Sequence, residues 1–361
     1  MKSRDRIAAI LAHEEPDCVG FMDADTWAET VERWRAEGMP REVDGEWLNL
    51  EGLRFFGMDI YSIFPPAPKG LNQVVLEEHG DFQIVRDKWG GRVKMWKHRS
   101  GPRLHLEPAV RQPEDFEAIE PFFESDGRGV PSDLKETVED ARGEFFVTLN
   151  VVGIFELSMD IFGGLGPTIV LMQKRPEFMG RVFDAISSYW AGIAEEYVDL
   201  VDALWIFDDL GSRNGPFFSP ELYRQMIMPA HSRICSAFQK RGLPTLIHSD
   251  GCLTKFIPLF LECGFEAIHP IQAKAGMNLG GLKEEYGDRL TLFGGMDTDA
   301  LAAGNPELIK REVELKIGQA STGGGYIAAC DGPVPPSVPL ESYKFFVKAI
   351  KECGRYPYSI G

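Results

Sequence analysis

Cysteine is scarce in this chain and never closely paired. The 361 residues hold six, at Cys18, Cys235, Cys252, Cys263, Cys330 and Cys353, with no CxxC motif. A chain this long can bury a core without staples, so they do not describe a disulfide framework. Basic residues are in deficit: 38 Lys and Arg face 55 Asp and Glu, a net charge of −17. That argues against nucleic-acid binding, which needs phosphate neutralisation, and against docking on an anionic membrane. No apolar run approaches the roughly 18 residues of a membrane span. The opening, Met1 to Asp17, lacks the apolar core of a signal peptide and reads as a short amphipathic helix. There is no GxSxG elbow and no P-loop, and Gly163-Gly164-Leu165-Gly166 and Gly323-Gly324-Gly325 lack a dinucleotide-binding context. Internal repeats and low-complexity tracts are absent too. The expectation is a reduced, cytoplasmic protein.

What is present is a rhythm of short apolar runs and helical periods. EFFVTLN (Glu144 to Asn150), DALWIFDD (Asp202 to Asp209), PTLIHSD (Pro244 to Asp250), FEAIHP (Phe265 to Pro270), RLTLFGG (Arg289 to Gly295) and GYIAAC (Gly325 to Cys330) are apolar nearly throughout. Strands buried on both faces look like this, as in a parallel sheet. CVGFMD (Cys18 to Asp23) makes a seventh; the pattern places no eighth. Between them, Phe178, Val182, Ile186, Trp190, Ile193, Tyr197 and Val201 recur at helical spacing. Ser219-Pro220 and Asn305-Pro306 place a capping residue before a Pro suited to a first helical turn. Repeated βα units imply an α/β fold, either a doubly wound sheet or a (βα)8 TIM-type barrel. Residues 71 to 106 differ, with partial period-2 alternation and turns at Gly90-Gly91 and Ser100-Gly101. They predict a two- or three-stranded antiparallel excursion, tied back by an acidic, Pro-rich stretch from Glu107 to Gly143. We therefore expect one domain over residues 1–361 with an insertion at about 71–143.

In parallel α/β folds the site lies at the carboxyl ends of the strands. The polar residues there are Asn150 with Glu156 beyond it, Asp208-Asp209, His248-Ser249-Asp250, His269, Asp297 and Cys330-Asp331. His248 and Asp250, two apart on an extended segment, can share one side, and with Cys330 would give three ligands for zinc. The competing reading is a hydrogen-bonded His248 and a Cys330 that fills core space. Neighbouring Asp208 and Asp209 point apart on a strand, so one should face the mouth as base, ligand or substrate partner, unless both cap the following turn. Asn150, Glu156 and His269 are candidate substrate-binding residues. Trp89 and Trp96 either pack the excursion or offer a lid or docking surface.

Several ordered segments resemble the uroporphyrinogen decarboxylase-like superfamily, which includes cobalamin-linked methyltransferases. They are SRDRIAAILAHEEPD (Ser3 to Asp17), FFGMDIYSIF (Phe55 to Phe64), WIFDDLG (Trp205 to Gly211), FFSPELYRQMIMPAH (Phe217 to His231), LIHSDG (Leu246 to Gly251), YGDRLTLFGGMDTDAL (Tyr286 to Leu301) and GGGYIAACDGPVPPSVPLESY (Gly323 to Tyr343). The resemblance implies a (βα)8 barrel with its site in the mouth. True decarboxylases of this type carry an arginine-rich segment after the first strand. This chain has FMDADTWAETVERW (Phe21 to Trp34), with Asp23 and Asp25 in place of arginines. Where they place an aspartate, it reads FPPAP (Phe64 to Pro68).

The methyltransferase branch binds zinc through a His-x-Cys strand end and a later Cys. Here His248 matches the histidine, Asp250 replaces the first cysteine, and Cys330 lies about two places from the second. The resemblance thus implies a zinc set of His248, Asp250 and Cys330, poorer in thiolate and suited to methoxy or methylamino donors. Asp208 or Asp209 would position substrate or protonate the leaving group. The methyl group would pass to a corrinoid carried by a partner protein, because no corrinoid-binding segment is evident. The expectation is a zinc-assisted methyltransferase; a homodimer is left open. The alternatives are a decarboxylase or other lyase acting on a smaller carboxylic acid, and a non-catalytic binding protein of the same fold.

Overall fold

A computed structural model describes residues 1–361 apart from 25, 45–48, 99–102, 125–126, 128 and 358–361. Asp25 and the Ser100-Gly101 turn of the sequence reading lie outside the described residues. Eight parallel strands form one sheet. In chain order they are β1 (Gly20–Phe21), β2 (Ile60–Ile63), β3 (Phe146–Val152), β4 (Ala203–Phe207), β5 (Thr245–His248), β6 (Ala267–Ile271), β7 (Thr291–Gly294) and β8 (Tyr326–Ala328). Their spatial order is β1-β8-β7-β6-β5-β4-β3-β2, with every ladder parallel. The seam between β1 and β2 is joined through Asp59: its N–H donates to the Phe21 carbonyl at 2.8 Å, and its carboxylate accepts the Phe21 N–H at 2.8 Å. Arg6 of the first helix holds that buried carboxylate at 2.6 Å. This is a (βα)8 barrel. The strand that periodicity did not reveal is β2, only four residues long and half-exposed at its centre, so it has no continuous apolar run.

The helices begin where their caps predict. The Ser219 hydroxyl accepts the Leu222 N–H at the head of Pro220–Met226, and the Asn305 amide oxygen accepts the Glu307 N–H at the head of Pro306–Ala320. Such a cap contributes about 1 kcal/mol. The long helix spans Pro176–Tyr197, and its apolar stripe is buried, packed chiefly against the helix Met228–Gln239. Among the described residues no single helix is long and apolar enough to cross a membrane.

The excursion leaves from the carboxyl end of β2, on the mouth side. It has four antiparallel strands, Val74–Glu78, Phe82–Arg86, Arg92–Trp96 and Leu104–Glu107, rather than two or three. Val74–Glu78 is exposed along its whole length, so no inside–outside alternation marked it as a strand. The return segment is bolted to the helix after β3, Ile154–Phe162, by the Ala109 and Val110 N–H groups, both donating to the Ile161 carbonyl. Trp89 is buried and stacked on Phe123 at 5.4 Å, which makes it core. Trp96 lies edge-on to Phe82, with Lys94 over its ring at 4.3 Å.

Candidate functional site

A cavity of about 200 Å³ opens in the barrel mouth, walled by Asp23, Phe207, Asp209, His248, Asp250, His269 and Cys330. Among the described residues, no lysine or arginine belongs to its wall. Each of these residues is delivered by a strand end, so register fixes their relative heights. Pairing of β4 with β5 sets His248 opposite Phe207, whose ring stacks on the imidazole at 4.6 Å. Pairing of β5 with β6 sets His248 opposite His269.

Three donors converge on one side. Ligand atoms of Asp209, His248 and Asp250 all lie within 4.8 Å of one another. Asp209 Oδ1 accepts the Asp250 N–H at 2.8 Å and stands 3.7 Å from His248 Nε2. Asp250 Oδ1 is buried and has no hydrogen-bond partner. Burial, with the charges of Asp209 and Asp331 beside it, raises the Asp250 carboxyl above its usual range, against an opposing pull from His248. Two carboxylates and an imidazole at this spacing, one oxygen unsatisfied, suit a divalent cation such as zinc.

The back of His248 strengthens the fit. Its Nδ1 lies 2.8 Å from Nδ1 of His269, so one ring donates and the other accepts. His269 is buried and its pKa falls well below the ordinary 6.5, first because burial disfavours the cation and then because His248 is adjacent. When His248 donates, its Nε2 is left with a lone pair facing Asp209, the tautomer a metal ligand requires. His269 therefore reads as the group that orients His248 as well as a wall of the cavity.

The opposite side differs from the sequence expectation. Cys330 lines the cavity but is not among the converging donors. Its S–H donates to Asp23 Oδ2 at 3.5 Å and its N–H to Asp23 Oδ1 at 2.6 Å, while the Tyr343 hydroxyl donates to Oδ2 at 2.5 Å. Burial, then the neighbouring Asp23 and Asp331, pushes the Cys330 thiol well above its ordinary pKa. A thiol held so is a poor ligand, since zinc takes the thiolate. The three-donor set is thus Asp209, His248 and Asp250, where the sequence suggested His248, Asp250 and Cys330.

Asp208 and Asp209 do point apart. Asp208 is fully buried and absent from the cavity wall. Its carboxylate accepts the Glu156 N–H at 2.8 Å and the Phe155 N–H at 3.3 Å, in the first turn of Ile154–Phe162. It cannot meet substrate there, which corrects its assignment as a catalytic candidate. Asn150 also lies outside the wall: it is buried in the barrel, its Oδ1 accepting the Thr148 hydroxyl at 2.8 Å and its Nδ2 unpartnered. Asp297 caps Thr298–Ala302 and pairs with Lys274 at 3.1 Å.

Glu156 is half-buried in the first turn of Ile154–Phe162, outside the wall itself but close enough to feel the charge of Asp209. Burial first, then the charges of Asp209, Asp208 and Asp160, push its carboxyl up to about 8. It is therefore a protonated acid at neutral pH. Nothing local in the sequence signals this, because the charges responsible come mainly from the next strand. Asp23 is a site residue that the sequence reading used only as a departure from a family pattern. The rule that found the others, an acid closing an apolar strand, applies equally to CVGFMD (Cys18 to Asp23).

Comparisons with known proteins agree on the fold. Residues 80–353 match the family described as uroporphyrinogen decarboxylase (URO-D). A uroporphyrinogen decarboxylase of Pelodictyon phaeoclathratiforme (strain DSM 5477 / BU-1) is 26% identical over 191 residues, 50% of this chain and 51% of that protein. The chain thus matches about half the length of that relative. A solved methyltransferase from Methanosarcina mazei has a TM-score of 0.68 at 19% identity, covering 98% of this chain and 99% of that one. At that identity the likeness is one of fold.

Proposed function

The chain belongs to the uroporphyrinogen decarboxylase family, and from that premise we propose that it is a methyltransferase, moving a methyl group from a small methoxy or methylamino compound to a corrinoid carried by a partner protein. The observation that carries this reading is the convergence of Asp209, His248 and Asp250 in a mouth whose wall, among the described residues, has no lysine or arginine. A polycarboxylate would meet carboxylates there and find no arginine or lysine clamp to hold it. The cavity, at about 200 Å³, is also below the roughly 300–1,000 Å³ typical of drug-sized ligands.

Asp209, His248 and Asp250 would hold zinc, with His269 fixing the His248 tautomer. Bound there, the ion would supply Lewis-acid polarisation of the oxygen or nitrogen that departs. The chain's own groups do the rest. Phe207, stacked on His248, presents an apolar surface to the methyl-bearing end. Glu156 delivers its carboxyl proton to the departing oxygen or nitrogen as the bond to the methyl carbon breaks, so that an alcohol, phenol or amine is released. The methyl group leaves on the opposite face, to the acceptor.

A second reading, decarboxylation of a small acid with Glu156 as proton donor, draws on the 26% identity to a uroporphyrinogen decarboxylase. One experiment separates the two. Protein purified without added metal is analysed for zinc, then incubated with Co(I) cobalamin and a panel of methoxy and methylamino compounds. Zinc near one equivalent and release of a demethylated product are expected. Absence of zinc with no demethylation, and CO2 release from small acids without cobalt, would overturn methyl transfer in favour of the second reading.

A further inference from the structure

Behind the mouth lies a chain of buried polar side chains that the proposed chemistry does not touch. Tyr223, from Pro220–Met226, and His231, from Met228–Gln239, are both wholly buried. The Tyr223 hydroxyl lies 3.0 Å from His231 Nδ1, and His231 Nε2 lies 2.8 Å from Asp208 Oδ2. Asp208 in turn takes the Phe155 and Glu156 N–H groups. We propose that Tyr223, His231 and Asp208 form a positioning unit that fixes the first turn of Ile154–Phe162, and with it the direction of Glu156, relative to the donor side of the mouth. The proposal rests on the reading that Glu156 is the proton donor.

The hydrogen-bond directions follow from the partners. Asp208 receives two backbone N–H groups, which can only donate, so its carboxylate is an acceptor there. His231 then donates through Nε2–H, and its Nδ1 is left to accept the Tyr223 hydroxyl. A buried carboxylate with three donors is satisfied; with one removed it is not. The fit is also steric. A Cβ on Gly153 would sit 2.1 Å from both Cβ and Cγ of Asp208, so the turn between β3 and the helix packs directly on this side chain and needs glycine there. Asp208 also donates its backbone N–H to the His248 carbonyl at 2.9 Å. One residue therefore ties the helix that carries Glu156 to the strand that carries His248. A purely space-filling role would be met by apolar residues at 223 and 231, at no desolvation cost.

Three variants test this: His231→Leu, which deletes the donor; His231→Gln, whose amide N–H can stand in for Nε2–H; and Tyr223→Phe, which removes only the outer hydroxyl. Two readouts are taken, steady-state kinetics of demethylation and hydrogen–deuterium exchange of residues 153–160. A shift of about 1 Å at a catalytic group can cost on the order of 100-fold. We expect His231→Leu to lower kcat by at least about 10-fold with KM within about 2-fold, and to speed exchange of 153–160. His231→Gln should restore kcat to within about 3-fold and restore slow exchange, with Tyr223→Phe between them. The proposal fails if folded His231→Leu keeps wild-type kcat and exchange, or if His231→Gln is as impaired as His231→Leu. Should His231→Leu not fold, unchanged exchange and kcat in Tyr223→Phe, together with a folded His231→Gln whose kcat is at least about 10-fold below wild type, would overturn it. Exchange is read without substrate. A wild-type protein that shows no methyl transfer while its variants shift exchange as described refutes the functional reading and leaves the tethering of the turn intact.

Discussion

The two sides of the mouth are built from similar residues and behave differently. On the β3–β5 side, Asp209, His248 and Asp250 converge with one carboxylate oxygen unsatisfied, beside a neutral Glu156. On the β1–β8 side, Asp23 is enclosed by the Cys330 N–H and S–H and the Tyr343 hydroxyl. Residue type does not separate a ligand site from a structural one here. Spare acceptor capacity on the cavity wall does: Asp250 has it, and Asp23 has used its own on Cys330 and Tyr343.

That contrast can be broken by substitution, and the effects should fall in order. His248→Ala should be the most severe. Removing the ligand should exceed the ~10–100-fold loss in metal affinity that follows removal of a ligand's hydrogen-bond partner; chelator competition checks it, and unchanged zinc affinity would refute the donor set. Glu156→Gln should lower kcat by about 100-fold or more, the usual contribution of a general acid. The sign of its pH dependence is fixed by the raised pKa: the proton is present below about 8 and lost as pH rises through it. The wild-type rate should therefore fall on the basic side near 8, and that limb should be missing from the residual activity of Glu156→Gln. Stability follows the same sign. The folded state holds a proton that the unfolded chain releases above the ordinary glutamate range, so this group's contribution declines between that range and about 8, a slope that denaturation midpoints of wild type and Glu156→Gln would expose.

On the other side the predicted losses concern stability. Asp23→Asn turns one acceptor into a donor facing donors, and should cost about 1–3 kcal/mol by urea denaturation while zinc content is unchanged. Cys330→Ser should do least, with stability altered by less than about 1 kcal/mol and zinc stoichiometry intact. A loss of zinc in either variant would return the β1–β8 side to the metal site and erase the distinction.

Much of the barrel was legible because its strands are buried on both faces and leave continuous apolar runs, while its helices announce themselves by caps at Ser219 and Asn305. The short, half-exposed β2 and the wholly exposed Val74–Glu78 left no such trace, and each was found only in three dimensions. The rule that polar residues at strand ends form the site selected Asp209, His248, Asp250, His269 and Cys330, all of which line the cavity. It selected Asn150, Glu156, Asp208, Asp297 and Asp331 equally, and none of these lines the cavity. Strand-end position says that a residue reaches the mouth level; it does not say which way the side chain turns or what has already bound it.

The sequence by itself determined the parallel αβ repeat, the family and the set of strand-end residues from which a site must be drawn, because hydrophobic period and local caps are properties of adjacent residues. Tertiary structure alone decided the partners. Asp208 is committed by amides 52 and 53 residues away and by a histidine 23 residues on. Cys330 is kept as a thiol first by burial and then by an aspartate 307 residues distant. Hydrogen-bond capacity, desolvation and the pKa of Glu156 depend on groups brought together by the closing of the barrel, and no local stretch of the chain contains them.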